Sequence, residues 1–250
     1  MPTFNLFWSN LMSGFIEDYY ASRIAESLED KSVERIERLL SSPELIEFDS
    51  RSAVLVGSTP KYNVAVFKTH VAEDRLTFSG VMRELVQSFT PVEGNAMGIT
   101  PNTFAAWSEM YAESFTAINE LHYRQAAEEG VSKPWMFVGY AAGGAVAQIA
   151  AASFKPARLI TFGAPDAGNA VLEEAVFQGC TWSRWEFMSD FNTRIPLRLR
   201  RSTEGNTRYI DSDGVLETEP KLSLRSPKDW FERSPITAYS DWMDGAVHGR

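Results

Sequence analysis

The stretch W-M-F-V-G-Y-A-A-G-G-A-V-A-Q-I-A-A-A, from Trp135 to Ala152, indicates how the rest of the chain folds. Its first residues, up to Val138, form a short apolar run of the kind found in buried strands. The residues from Ala145 onward are small, apolar and good helix formers. The glycines between these two segments permit a tight turn and a close approach of helix to strand. The stretch therefore predicts a strand, a sharp corner and a helix.

The corner has the layout of a nucleophile elbow, which has the sequence pattern G-x-S-x-G in serine hydrolases. Gly139 and Gly143 occupy the two glycine positions, and Ala141 stands at the centre, where the pattern has serine. An alanine side chain has no oxygen that could attack an acyl carbon. The sequence thus combines the scaffold of a serine hydrolase with the absence of its nucleophile. The alternative for a motif of small residues taken alone is simple packing of a helix on a strand.

Composition narrows the class of protein further. The chain of 250 residues has the size of one α/β domain with a substantial core, and its net charge of -9 argues against nucleic acid as a partner. The single cysteine excludes an internal disulfide. No apolar run reaches membrane-spanning length, and the N-terminus lacks the basic region of a signal peptide, so we expect a cytoplasmic protein. We find no cluster of metal ligands and expect neither metal nor cofactor.

Strands alternate with helices through the middle of the chain, which predicts an α/β fold with a mostly parallel central sheet and helices on both faces. We expect one domain over residues 1–250, with residues 1–50 as an N-terminal helical cover. Chemistry in such sheets lies at the C-terminal ends of the strands. The other predicted elements are helices over 13–30, 32–40 and 239–243, a helix from Thr100 to Gly130, hairpins from 53–57 with 63–68 and from 207–211 with 215–217, and strands over 158–162 and 183–189.

Several motifs in the same order strengthen the elbow. G-Y-A-A-G-G-A, from Gly139 to Ala145, is similar to G-H-S-L-G-G-A, and L-I-T-F-G-A-P-D-A-G-N, from Leu159 to Asn169, is similar to T-F-G-x-P-R-x-G-N. Arg184, Asp190 and Pro196 follow with the spacing R-x5-D-x5-P. In these features the sequence resembles the class 3 lipase family, the α/β hydrolases that include the fungal triacylglycerol lipases. The resemblance covers about residues 50–215 and implies an α/β-hydrolase fold.

The resemblance implies the hydrolysis of carboxylic esters, such as acylglycerols or phospholipids, if a serine stood at position 141. Asp190 would then orient the catalytic histidine. His248 lies 58 residues after Asp190, which fits the order Ser, Asp, His. A rival alignment sets Ser234 in the histidine position and leaves no base.

The resemblance also places the oxyanion hole. V-A-V-F-K-T-H, from Val64 to His70, resembles the family's F-R-G-T/S segment, although it lacks the glycine. The backbone N–H of Ala142 and one from Thr69 or His70 would bind the oxyanion. The family carries a mobile lid in the region that corresponds to residues 71–98.

Two functions therefore stay open at this stage. One is a lipase or esterase whose serine has been replaced, with a lipid or another ester as substrate. The other is a natural, non-catalytic lipase-like protein with a binding or structural role. A binding protein would bury the apolar N-terminus against a protein partner. The apolar residues of that N-terminus are Phe4, Leu6, Phe7 and Trp8.

Overall fold

The structure is a computed structural model that describes residues 3–48, 52–69, 96–187, 207–211, 214–217 and 236–248, with side chains from residue 14 onward. Within these ranges the chain forms six helices and eight strands. The helices are α1 (Thr3–Glu29), α2 (Val33–Leu39), α3 (Pro101–Glu129), α4 (Ala142–Phe154), α5 (Ala170–Phe177) and α6 (Ile236–His248). The strands are β1 (Ser41–Glu47), β2 (Ala53–Ser58), β3 (Asn63–Lys68), β4 (Trp135–Tyr140), β5 (Arg158–Phe162), β6 (Thr181–Phe187), β7 (Thr207–Ile210) and β8 (Leu216–Glu217).

The eight strands form one sheet in the order in which they occur in the chain. Strands β3 to β7 are parallel, whereas β1, β2 and β8 pair antiparallel at the two sides. The expected mostly parallel α/β sheet is confirmed.

Helices cover both faces of the sheet. Alternate strand residues belong to two apolar clusters, because successive side chains of a strand point to opposite faces. Val64 and Val66 join the cluster that contains residues of α1, α2 and α6. Ala65 and Phe67 join the cluster that contains residues of α3, α4 and α5. Strands buried on both sides are apolar along their whole length, which is why Trp135–Tyr140 shows no alternation.

Several predicted elements are confirmed. Strands β2 and β3 form the predicted antiparallel hairpin. Helix α3 begins at Pro101 and ends before Gly130, whose φ of 74° is the left-handed conformation expected at a helix end. Strands β7 and β8 form the second hairpin. Helix α6 is longer than the predicted helix over 239–243, since it extends from Ile236 to His248.

The predicted helical cover over residues 1–50 is wrong in its last part. Ser41–Glu47 forms strand β1 and pairs with β2 at the side of the sheet. Pro43 does not prevent this, because an edge strand tolerates a residue without an N–H. The register shifts between Ser41 and Glu44, and Ser42 has a φ of 49°. Helix α1 begins at Thr3, ten residues before the predicted start at Ser13.

The buried side of α1 also differs from the sequence pattern, which predicts an acidic and polar face opposite one apolar stripe of Phe15, Ile16, Tyr19, Tyr20, Ile24 and Leu28. Ile24 and Leu28 are buried as expected, but Tyr20 is 52% exposed and Asp18 is completely buried. None of the helices in the described ranges is both long enough and apolar enough to span a membrane.

Candidate functional site

The corner between β4 and α4 has the backbone of a nucleophile elbow. Ala141 lies between the two elements with φ 50° and ψ -124°, a conformation that L-residues rarely adopt and that costs about 1–3 kcal/mol. Its N–H donates to the carbonyl of Phe162 over 2.8 Å, and its carbonyl accepts from the N–H of Gly144 over 2.9 Å. These bonds hold the strained residue between β5 and the first turn of α4.

The glycines around Ala141 are required by close backbone contacts. A Cβ at Gly139 would lie 2.5 Å from the Gly143 carbonyl oxygen. One at Gly143 would lie 2.2 Å from the Phe67 carbonyl oxygen, and one at Gly144 would lie 2.5 Å from the Cβ of Ala164. Helix α4 therefore packs directly on the C-terminal ends of β3, β4 and β5, as the G-x-x-x-G-G pattern predicts.

The side chain of Ala141 has no access to solvent. The residue is 0% exposed and belongs to the apolar cluster that includes Phe162 and, on α6, Tyr239 and Met243. The position that carries the nucleophile in the G-x-S-x-G pattern is thus part of the core of this chain. It holds a methyl group and presents no surface to a ligand.

Two of the predicted oxyanion donors, Ala142 and Thr69, lie at the start of α4 and just after β3. Ala142 is half-buried. Because it is the first residue of α4, its N–H has no acceptor within the helix. Thr69 follows β3, whose residue Phe67 is in close contact with α4. The Thr69 hydroxyl lies 3.2 Å from the hydroxyl of Ser52. His70 lies outside the described residues. Ala142 and Thr69 are therefore brought to one edge of the sheet, and their role stays a prediction.

Lys68 fixes the end of α1 at this same edge. Its ammonium group donates to the carbonyl oxygens of Leu28 and Glu29 over 3.3 and 3.2 Å, and it pairs with the Glu29 carboxylate at 3.2 Å. A cation at the C-terminal end of a helix is favourable because the helix dipole is negative there. The side chain that precedes Thr69 is thus committed to a contact with the helix.

The structure does not bring His248 to the elbow. Its imidazole Nε2 lies 3.5 Å from the Asp244 carboxylate, and its ring packs edge-on against Tyr19 with centroids 6.2 Å apart. Tyr239, nine residues earlier on α6, contacts Phe162 at the strand ends near Ala141. At 1.5 Å per residue, His248 therefore lies about 13 Å further along the helix axis.

Several other predictions about the site concern residues or side chains that are not described. Asp190 lies outside the described residues, as do Ser234 and most of the segment 71–98 in which the family carries a lid. Phe4, Leu6, Phe7 and Trp8 lie in the first part of α1, whose side chains are not described. The proposed acid, the rival histidine position and the N-terminal partner surface stay predictions.

A buried arginine supports the loop between β5 and α5. Arg184 is 0% exposed and pairs with the carboxylates of Asp166 at 2.6 Å and Glu186 at 2.5 Å, and it donates to the carbonyl of Ala164 over 2.6 Å. Burial alone would lower the pKa of Arg184, but the two carboxylates raise it above its usual value, so the guanidinium stays charged. The first residue of the R-x5-D-x5-P pattern thus has a structural role here.

A second ionic group, which the sequence did not indicate, attaches α1 to the sheet. The buried carboxylate of Asp18 accepts from Arg158 and Arg208, both over 2.7 Å, and from the Trp185 indole N–H over 3.0 Å. Its partners are 140 and more residues away in the chain. The signal in the sequence was weak, because Glu17 and Asp18 together interrupt an aromatic and apolar stretch from Phe15 to Tyr20.

Comparison with solved structures places this architecture among the fungal lipases. A lipase II from Rhizopus niveus is 14% identical, with a TM-score of 0.54 and 81% of each chain covered. The lipase from Rhizopus microsporus var. chinensis is 14% identical, with a TM-score of 0.55 and coverage of 90% of this chain and 85% of that one. The Lip2 lipase from Yarrowia lipolytica is 14% identical, with a TM-score of 0.52 and coverage of 81% and 79%.

The chain has a fungal lipase-like fold. No family model matches the sequence, and no curated protein matches it. The lipase-like fold agrees with the α/β-hydrolase fold that the class 3 resemblance implies. At such low identity the likeness concerns the fold alone, and the function has to be argued from the residues of this chain.

Proposed function

We propose that this chain is a non-catalytic protein with a lipase-like fold, which acts by binding and does not hydrolyse esters as it stands. The observation that carries the proposal is Ala141, a methyl group buried in the core at the nucleophile position. Acyl transfer requires a nucleophile that both the substrate and a general base can reach. Ala141 supplies no nucleophile, and its position offers no open surface.

The surroundings of the elbow support the same conclusion. His248 contacts Tyr19 and Asp244, away from the strand ends at which Ala141 lies. The Thr69 hydroxyl is engaged with Ser52, and Lys68 is tied to the last turn of α1. The side chains next to the elbow thus serve contacts within the fold.

A second candidate is a carboxylic ester hydrolase whose serine has been exchanged for Ala141. The observation in its favour is the strained backbone of Ala141, because an alanine gains nothing from φ 50° that would explain its retention. In this alternative a serine at position 141 attacks an acylglycerol or phospholipid ester. His248 takes its proton, Asp190 orients the imidazole, and the N–H groups of Ala142 and of Thr69 or His70 bind the oxyanion.

Turnover of p-nitrophenyl butyrate and p-nitrophenyl palmitate separates the two candidates. The protein, Ala141→Ser and a control, Ala152→Ser, are compared, since Ala152 is half-buried on α4 away from the elbow. The proposal predicts that Ala141→Ser folds and hydrolyses both esters no faster than the control. Turnover that appears only in Ala141→Ser, and is lost again on adding His248→Ala or Asp190→Ala, would establish the hydrolase and reject the proposal.

A further inference from the structure

We draw no further inference here: the strongest candidate, the row of exposed aromatic side chains Phe104, Tyr111 and Phe115 on the outer face of α3, is an apolar surface for which nothing in the described part of the chain shows what covers it.

Discussion

Replacing Gly143 by alanine tests whether the start of α4 packs directly on the backbone at the end of β3. The new Cβ would lie 2.2 Å from the Phe67 carbonyl oxygen, 2.9 Å from its carbon and 3.1 Å from the Cα of Lys68. All three contacts are with backbone, so no rotation of a side chain can relieve them. Because carbon atoms pack at about 3.5–4.0 Å, α4 and the end of β3 must separate by roughly 1 Å.

The expected loss of stability follows from these contacts. Overpacking of this kind costs about 1–3 kcal/mol and occasionally more, and contact with backbone puts the change at the upper end. Alanine recovers about 0.5–1 kcal/mol through its better helix propensity. We therefore expect Gly143→Ala to lower the free energy of unfolding by at least about 2 kcal/mol, which lowers Tm by about 4–8 °C in a domain of this size.

Thermal unfolding followed by circular dichroism measures the change, and Gly14→Ala is the control. Gly14 lies inside α1, and within the described part of the chain its added Cβ would meet only the Arg158 guanidinium at 3.9 Å, an ordinary contact. Gly14→Ala should raise the stability by about 0.5–1 kcal/mol. A Gly143→Ala protein with the Tm of the parent chain would show that α4 does not pack on β3 as described.

Three further predictions concern ionisable groups. Arg184→Met leaves two buried carboxylates without their cation and should lower the free energy of unfolding in urea by about 3–5 kcal/mol; a loss below 1 kcal/mol would contradict the burial of Arg184. Burial raises the pKa of the Glu17 carboxyl, but the ion pairs with Lys61 and Arg158 lower it by more, so its pKa in the folded chain lies below the value in the unfolded chain. The stability from Glu17 is then present above about pH 4.3 and is lost as pH falls through the folded pKa, so Glu17→Gln should flatten the acid limb of a stability–pH curve; an unchanged slope would argue against the ion pairs. Burial raises the pKa of Cys180 to about 12, so iodoacetamide at pH 8 should alkylate the folded chain roughly a thousandfold more slowly than the unfolded chain; similar rates would show an accessible thiolate.

Local pattern was enough to predict the elements that depend on neighbouring residues. The glycines at 139, 143 and 144 predicted the corner between β4 and α4, and Gly130 predicted the end of α3. Strand β1 was missed because Pro43 was interpreted as a helix stop only, although the chain that follows a helix can continue as an edge strand.

Contacts between distant parts of the chain were beyond prediction. Asp18 was expected on the polar face of α1, yet it is buried because Arg158 and Arg208 neutralise it from β5 and β7. The spacing in sequence favoured His248 as a base, but α6 continues to His248 and carries that residue toward Tyr19. The burial of Ala141 depends on the packing of the whole cluster around the elbow and leaves no mark in the motif itself.

The central claim is that the lipase-like elbow of this chain lacks a working nucleophile site and not merely a serine. The most direct measurement is the labelling of Ala141→Ser by a fluorophosphonate probe, whose phosphorus is attacked by an activated serine hydroxyl with loss of fluoride, which leaves a phosphonate ester on the serine. Intact mass spectrometry reads the result, with Ala152→Ser as control. The account predicts no more adduct on Ala141→Ser than on the control. Stoichiometric labelling at position 141 would contradict it and show that the base and the oxyanion hole are in place.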